Sequence, residues 1–367
     1  MSCDFTALAI PGVQELKPYL PGKPAEELQR ELGLASVVKL ASNENPLGVS
    51  EKVKAALQSE LDMLALYPDS AGYHLKQALS RELGVSVDQL TLGNGSNDVL
   101  DLIARAFLAP GSEVIYSEYA FLVYAISSQA AGATAIVTPA KAWGHDLEAM
   151  AQAVSERTRV IFLANPNNPT GTWFTAQALD QFLAQVPETV LVVLDEAYTE
   201  YVEQPDFPDG LALQKRYPNL IVTRTFSKAY GLAGLRIGYA VSDPQVADVL
   251  SRVRQPFNVN SLGLLAARVA LSDAEFLQQT LVCNQQGMRQ LETGLKALGL
   301  EWIASAGNFL TVDMQQPALP IYQALLQKGV IVRPLANYAM PNHLRISIGL
   351  PHENARCLEV LQEVLGL

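Results

Sequence analysis

The sequence of 367 residues is poor in charge, in cysteine and in histidine, and each shortage closes off a class of protein. Only 17% of the residues are charged while 49% are hydrophobic, which excludes long disorder and leaves ample material for the interior of two packed domains. Cys3, Cys283 and Cys357 lie far apart without metal-type spacing, so they read as free thiols in a reducing compartment. The four histidines do not cluster with them or with one another, and no metal is expected. Asp4, Pro11, Glu15 and Pro18 break any apolar run at the start, so no secretory signal is expected. No stretch of about 18 apolar residues is free of charges and breakers, which argues against a membrane span. Positive charge is in deficit: a net charge of −11 argues against nucleic acid or an anionic membrane as a main partner. A cytoplasmic protein is expected, in which a few local arginines must hold any anionic ligand against the overall field.

What is present is an alternation. The first 45 residues are proline-rich and read as an extended arm with one short helix near 25–31. From about Glu51, amphipathic helices alternate with short apolar runs. The strand candidates are 89–92, 113–116, 133–137, 160–164, 190–195, 220–223 and 237–241, with helices at 97–108, 121–131, 147–154 and 176–186 among them. That order predicts an α/β fold with a mostly parallel seven-stranded sheet flanked by helices. After Val259 the texture changes to helices over 262–271 and 275–298, strands near 302–304, 309–313, 330–333 and 343–347, and a closing helix at 355–365. This reads as a smaller α+β domain completed by the arm. The expected division is 1–45 for the arm, 46–260 for the large domain and 261–367 for the small one.

The most informative stretch is Thr225 to Tyr239, T-F-S-K-A-Y-G-L-A-G-L-R-I-G-Y. Lys228 comes off a strand into a glycine-rich turn, where an amine can be held still and partly desolvated, and so made nucleophilic toward a carbonyl. Thr225, Ser227 and Arg236 beside it form a receptor for phosphate. An amine next to a phosphate cup suggests a phosphorylated aldehyde, a description that pyridoxal phosphate fits. Asp195 ends an apolar strand and needs a cationic partner: a protonated pyridine nitrogen would serve, as would a metal or plain exposure at a strand end. Tyr198 could donate to a ring oxygen or be an ordinary core tyrosine. The run Asn165-Pro166-Asn167-Asn168-Pro169-Thr170-Gly171 presents amides at a strand's carboxyl end, where open α/β sheets bind ligands, although taken alone it is also a plain strand-to-helix loop. Gly93-Asn94-Gly95-Ser96-Asn97 places a helix N-terminus where an anion can meet it, or merely reverses the chain. Tyr119 follows the next strand and is either a stacking aromatic or core.

Together and in this order, these residues resemble the fold-type I pyridoxal phosphate aminotransferases, and among them most nearly the histidinol-phosphate aminotransferase group of class II. The likeness runs along the whole chain, through Ser42-Asn43-Glu44-Asn45-Pro46 and Tyr67-Pro68-Asp69 to Leu344-Arg345-Ile346-Ser347. It implies that pyridoxal 5'-phosphate is anchored by Lys228, which also moves the proton. It implies that Asp195 pairs with the pyridine nitrogen, Asn168 and Tyr198 hold the ring oxygen, and Tyr119 stacks on the ring. Ser96, Asn97, Ser227 and Arg236 would hold the phosphate, with Tyr67 reaching the neighbouring subunit of a homodimer. Arg345 would take the substrate carboxylate, and Arg333, Tyr19 and Asn43 would complete the substrate site. Two arginines facing the site suit a substrate phosphate and equally the two carboxylates of glutamate. The implied reaction is amino transfer between histidinol phosphate and 2-oxoglutarate, with no nucleic acid, membrane or metal involved. Three other readings share some of these features: an aromatic (phenylalanine) aminotransferase, a threonine-phosphate decarboxylase and a cofactor-binding sensor of a transcription regulator. The last would need a basic DNA-binding module, and no such segment is visible.

Overall fold

A computed structural model describes residues 3–18 and 22–367. Its centre is a seven-stranded sheet made of β1 (Leu90–Gly93), β2 (Glu113–Ser117), β3 (Thr134–Thr138), β4 (Thr158–Ala164), β5 (Leu191–Asp195), β6 (Leu220–Thr225) and β7 (Gly238–Val241). The order across the sheet is β1-β7-β6-β5-β4-β2-β3. Pairings from β6 through β3 are parallel, whereas β7 runs antiparallel to both its neighbours, β1 and β6. The alternation of side chains along each strand divides the core in two. Val114, Val160, Phe162, Val193 and Ile221 meet the helix Ser96–Phe107 on one face. Ile115, Ile161, Leu163, Val192, Leu194 and Val222 meet the helix Ala176–Leu183 on the other. Both faces are therefore dry, which is why the central strands read as unbroken apolar runs.

A second sheet of four strands, β8 (Glu301–Ile303), β9 (Phe309–Asp313), β10 (Arg333–Pro334) and β11 (His343–Ser347), is antiparallel in the order β8-β9-β11-β10. Leu310, Val312, Leu344 and Ile346 turn one face toward Leu291 and Leu295 of the helix Ala274–Ala297 and toward Cys357, Val360 and Leu361 of the helix Pro351–Leu365. The residues between them, Thr311, His343 and Arg345 among them, belong to the opposite face.

The single strand expected over 330–333 is split. Val330–Ile331 pairs in parallel with Val38–Lys39 of the N-terminal segment, and Arg333–Pro334 pairs with β11. The chain changes sheets at Val332, so one apolar run serves two ladders. A short helix at Pro11–Gln14 and a hairpin, Ala140–Lys141 with Gly144–His145, also carry no clear periodic signal because each is only a few residues long. Among the described residues no helix is long and apolar enough to cross a membrane.

Candidate active site

The carboxyl ends of β4, β5 and β6 open on a cavity of about 190 Å³ that is closed from the other side by β10 and β11. Asp195 is the last residue of β5, buried, with Oδ2 accepting from the Tyr124 hydroxyl at 2.8 Å and Oδ1 from the Thr223 hydroxyl at 3.2 Å. Burial raises its carboxyl to about 6, against the pull of these hydroxyls. Lys228, three residues beyond β6, donates from Nζ to the Ser42 carbonyl at 3.0 Å. Burial lowers its ammonium to about 8, and the nearby charges of Arg345 and Arg236 push in the same direction. Tyr198 sits beneath it, with Lys228 Nζ 5.9 Å from the ring centre. The Tyr198 hydroxyl accepts from Asn43 Nδ2 at 3.0 Å, and burial raises this phenol to about 12.

An anion cup lies beside the lysine. Ser96 opens the helix Ser96–Phe107, and Gly95 before it has φ 83°, so a side chain there would be strained and its Cβ would come within 2.6 Å of Arg236 Nη2. Gly238 likewise clears the backbone nitrogen of Ser96. Arg236 Nη1 reaches Ser227 Oγ at 3.5 Å and the Ala233 carbonyl at 3.2 Å. Backbone N–H groups at a helix start, two hydroxyls and a guanidinium thus converge where glycines keep the space open.

The opposite wall is cationic as well. Arg333 and Arg345 are partners across the β10–β11 ladder, so their side chains leave the same face of the sheet. Both are buried, at 8% and 6% exposure, and both line the cavity. Arg345 donates to Asn168 Oδ1 and to the Ala41 carbonyl, the latter at 2.8 Å. Asn43, in the left-handed region at φ 54°, is fixed by Ser347, whose Oγ accepts from its N–H at 2.8 Å. Among the described lining residues Asp195 is the only carboxylate, facing Lys228, Arg236, Arg333 and Arg345. A molecule of charge −11 thus carries a cationic interior site.

Most of the residues singled out from sequence meet here: Asn43, Ser96, Asn97, Asn168, Asp195, Tyr198, Ser227, Lys228, Arg236, Arg333 and Arg345 all line the cavity. Tyr119 does not. Its ring lies 5.2 Å from Trp143 and packs with Leu335, Tyr338 and Met340, because the turn after β2 carries it outward. Phe121, two residues on, lines the cavity instead. A signal for it exists: Phe121 and Tyr124 are three apart at the start of the helix Leu122–Ala130 and meet edge to face at 5.8 Å. Tyr67 is 82% exposed, stacked on Phe257 at 4.6 Å, and is not among the cavity lining. Tyr19 lies outside the described residues. Tyr124, Thr223 and Ser347, which hold Asp195 and Asn43, were not read from sequence, since their roles depend on contacts between distant segments.

The sequence profile of the class I and II aminotransferases matches residues 35–361. The chain belongs to that family. Within it, the chain is 63% identical to histidinol-phosphate aminotransferase 2 of Pseudomonas fluorescens (strain Pf0-1) over 100% of both chains. It is 62% identical to the protein of the same name from Pseudomonas aeruginosa over 99% of each. Its fold superimposes on a histidinol-phosphate aminotransferase of Sinorhizobium meliloti, solved in complex with pyridoxal-5'-phosphate, with a TM-score of 0.89 at 31% identity, covering 97% of each chain.

Proposed function

We propose that this chain is a pyridoxal-phosphate-dependent aminotransferase that exchanges an amino group between histidinol phosphate and 2-oxoglutarate in histidine biosynthesis. The observation that carries this reading is the placing of Lys228 opposite Asp195 in one cavity with the buried cross-strand pair Arg333 and Arg345. The residues fit the cofactor: a buried carboxyl raised to about 6 suits a ring cation, and the glycine-cleared cup suits a phosphate. Asp195 would take the ring nitrogen, Asn168 and Tyr198 the ring oxygen, and Ser96, Asn97, Ser227 and Arg236 the phosphate. Phe121 takes the stacking role that the sequence suggested for Tyr119.

When bound, the cofactor supplies an aldehyde that accepts an amine and a cationic ring that spreads the electron pair left by the departing α-proton. Lys228 supplies the amine. With its ammonium lowered to about 8, a useful fraction is neutral just above neutral pH, so Nζ can attack a carbonyl and afterwards carry the α-proton as a base. The Ser42 carbonyl fixes where that nitrogen points. Arg345 would hold the α-carboxylate of glutamate, with Asn43 lining the same cavity, and Tyr19 is a further substrate contact that the family resemblance implies. Histidinol phosphate carries a phosphoester arm where glutamate has its α-carboxylate, so Arg345 and Arg333 together would take that phosphate in one half-reaction and the two carboxylates of 2-oxoglutarate in the other. Two buried guanidinium groups favour such a doubly anionic substrate over phenylalanine.

We further place the enzyme in the cytoplasm as a homodimer of two-domain subunits divided at 45/46 and 260/261. Tyr67, too exposed to serve its own cavity, would reach the phosphate in the second copy. The test is Lys228→Ala: turnover and the borohydride-reducible absorbance of the bound cofactor are both expected to vanish. Wild-type turnover in that variant would overturn the assignment. For the substrate, kcat/KM for histidinol phosphate should exceed that for phenylalanine with 2-oxoglutarate as acceptor, and the reverse order would move the reading to the aromatic enzymes.

A further inference from the structure

A second cleft shares no lining residue with the active-site cavity and has no part in the reaction above. It has a volume of about 550 Å³ and forms where the hairpin Ala140–His145 faces the four-stranded sheet. Trp143 and Trp173 line it, while Trp302 at its edge is in register with Val312 and packs its side chain on the opposite face of the sheet. Its floor is a row across three strands: Glu301 is in register with Asp313, and Asp313 with His343. Residues in register share a face, so two carboxyl groups and an imidazole point the same way. His343 is only 8% exposed, meets Trp143 edge to face at 5.1 Å, and its Nδ1 has no hydrogen-bond partner among the described residues. A buried ring nitrogen without a partner is costly unless something occupies the space before it. Burial also holds this imidazole below its usual pKa, so it is neutral near pH 7 and one of its nitrogens can accept. Lys141 is the one ammonium in the lining and is exposed at the rim.

From these features we infer that the cleft is a binding site for a small, flat organic cation bearing an N–H donor, of the amidinium, guanidinium or imidazolium class. Indole faces attract a cation through their quadrupole, Glu301 and Asp313 supply the opposing charge, and His343 Nδ1 accepts the N–H. The active-site wall is the next row along the same face, since Arg345 lies two residues beyond His343 and pairs with Arg333. An occupant would therefore bridge the hairpin Ala140–His145 to β11, the strand that carries Arg345.

Trp143 and Trp173, two of the three tryptophans in the chain, line the site and make it readable by fluorescence. Cofactor-loaded enzyme is titrated with benzamidinium and, separately, with its neutral isostere benzamide. Expected are saturable changes in fluorescence with half-saturation at about 1 mM or tighter for benzamidinium, and binding at least about tenfold weaker for benzamide. The double variant Glu301→Gln, Asp313→Asn, altered at an exposed and a half-buried carboxyl, should lose about tenfold for benzamidinium while keeping wild-type turnover. Linear, unsaturating changes, equal affinity for benzamide, or an unaltered double variant would each overturn the assignment.

Discussion

Asp195 ends a strand with its charge disfavoured: both its oxygens accept from neutral hydroxyls, and its carboxyl stands at about 6 instead of 3.8. A carboxyl raised on folding contributes stability below its unfolded value and loses it as pH rises through the folded one. In the cofactor-free chain, Asp195→Asn should therefore gain stability relative to wild type as pH climbs from about 4 to 6 and level off above, by up to about 3 kcal/mol. Thermal melts at acid and at mildly alkaline pH check this, and an equal shift at both would refute it. With cofactor the sign reverses, because the carboxylate then has its cation, and the variant should release cofactor more readily. The aromatic pair offers a second comparison at this scale. Phe121→Ala should weaken cofactor binding by about tenfold, the worth of a lost ring contact, whereas Tyr119→Ala should change it little. Absorbance titration of the two variants distinguishes them.

At the scale of elements, the ladder between β10 and β11 sets two guanidinium groups side by side, and this geometry carries the substrate argument. Arg333→Ala should raise KM for a phosphorylated or dicarboxylic substrate by tenfold or more, roughly the worth of a charge-assisted bond, and barely alter it for an apolar amino acid. Equal losses for both would show that Arg333 supports the strand and not the ligand. These elements were readable to different degrees. The central strands stood out because both their faces are buried, and β9 and β11 were found with their full extents. β10 was blurred, since Val330 to Arg333 looks continuous although its halves pair with different partners. The antiparallel direction of β7 left no mark in its residues, because direction is decided by where the chain returns and not by side-chain pattern. The site was legible wherever a residue type is chemically unusual for its place, as with Asp195 and Lys228. It was illegible for Tyr124, Thr223 and Ser347, ordinary residues whose partners are distant in sequence.

For the whole molecule, one group of exposed apolar side chains lies beside Tyr67. Leu61, Met63, Leu64, Leu66 and Tyr67 lie exposed within a few residues of one another, with Phe257 stacked on Tyr67. Such a patch is more than solvent exposure alone explains and suits contact with a second copy. If Tyr67 completes the partner's site, Tyr67→Ala and Lys228→Ala homodimers should both be impaired, yet subunit exchange between them should restore activity. Each mixed dimer would contain one site with an intact lysine and an intact tyrosine. Failure of the mixture to exceed the Tyr67→Ala enzyme would place Tyr67 outside the site.

The reversal of β7 has a mechanical consequence. Thr225 and Gly238 are partners in the ladder, and Gly238 is also paired with Gly93, so the segment bearing Ser227, Lys228 and Arg236 is a ring closed at its base. Its girth is fixed by the register of the two strands, and inner bonds from Gly231 N–H to the Lys228 carbonyl and from Leu232 N–H to the Phe226 carbonyl draw it tighter. Nucleophile and anion receptor are therefore set at one spacing by the length of a single loop. Adding or deleting a residue there would change that spacing, even with every side chain retained.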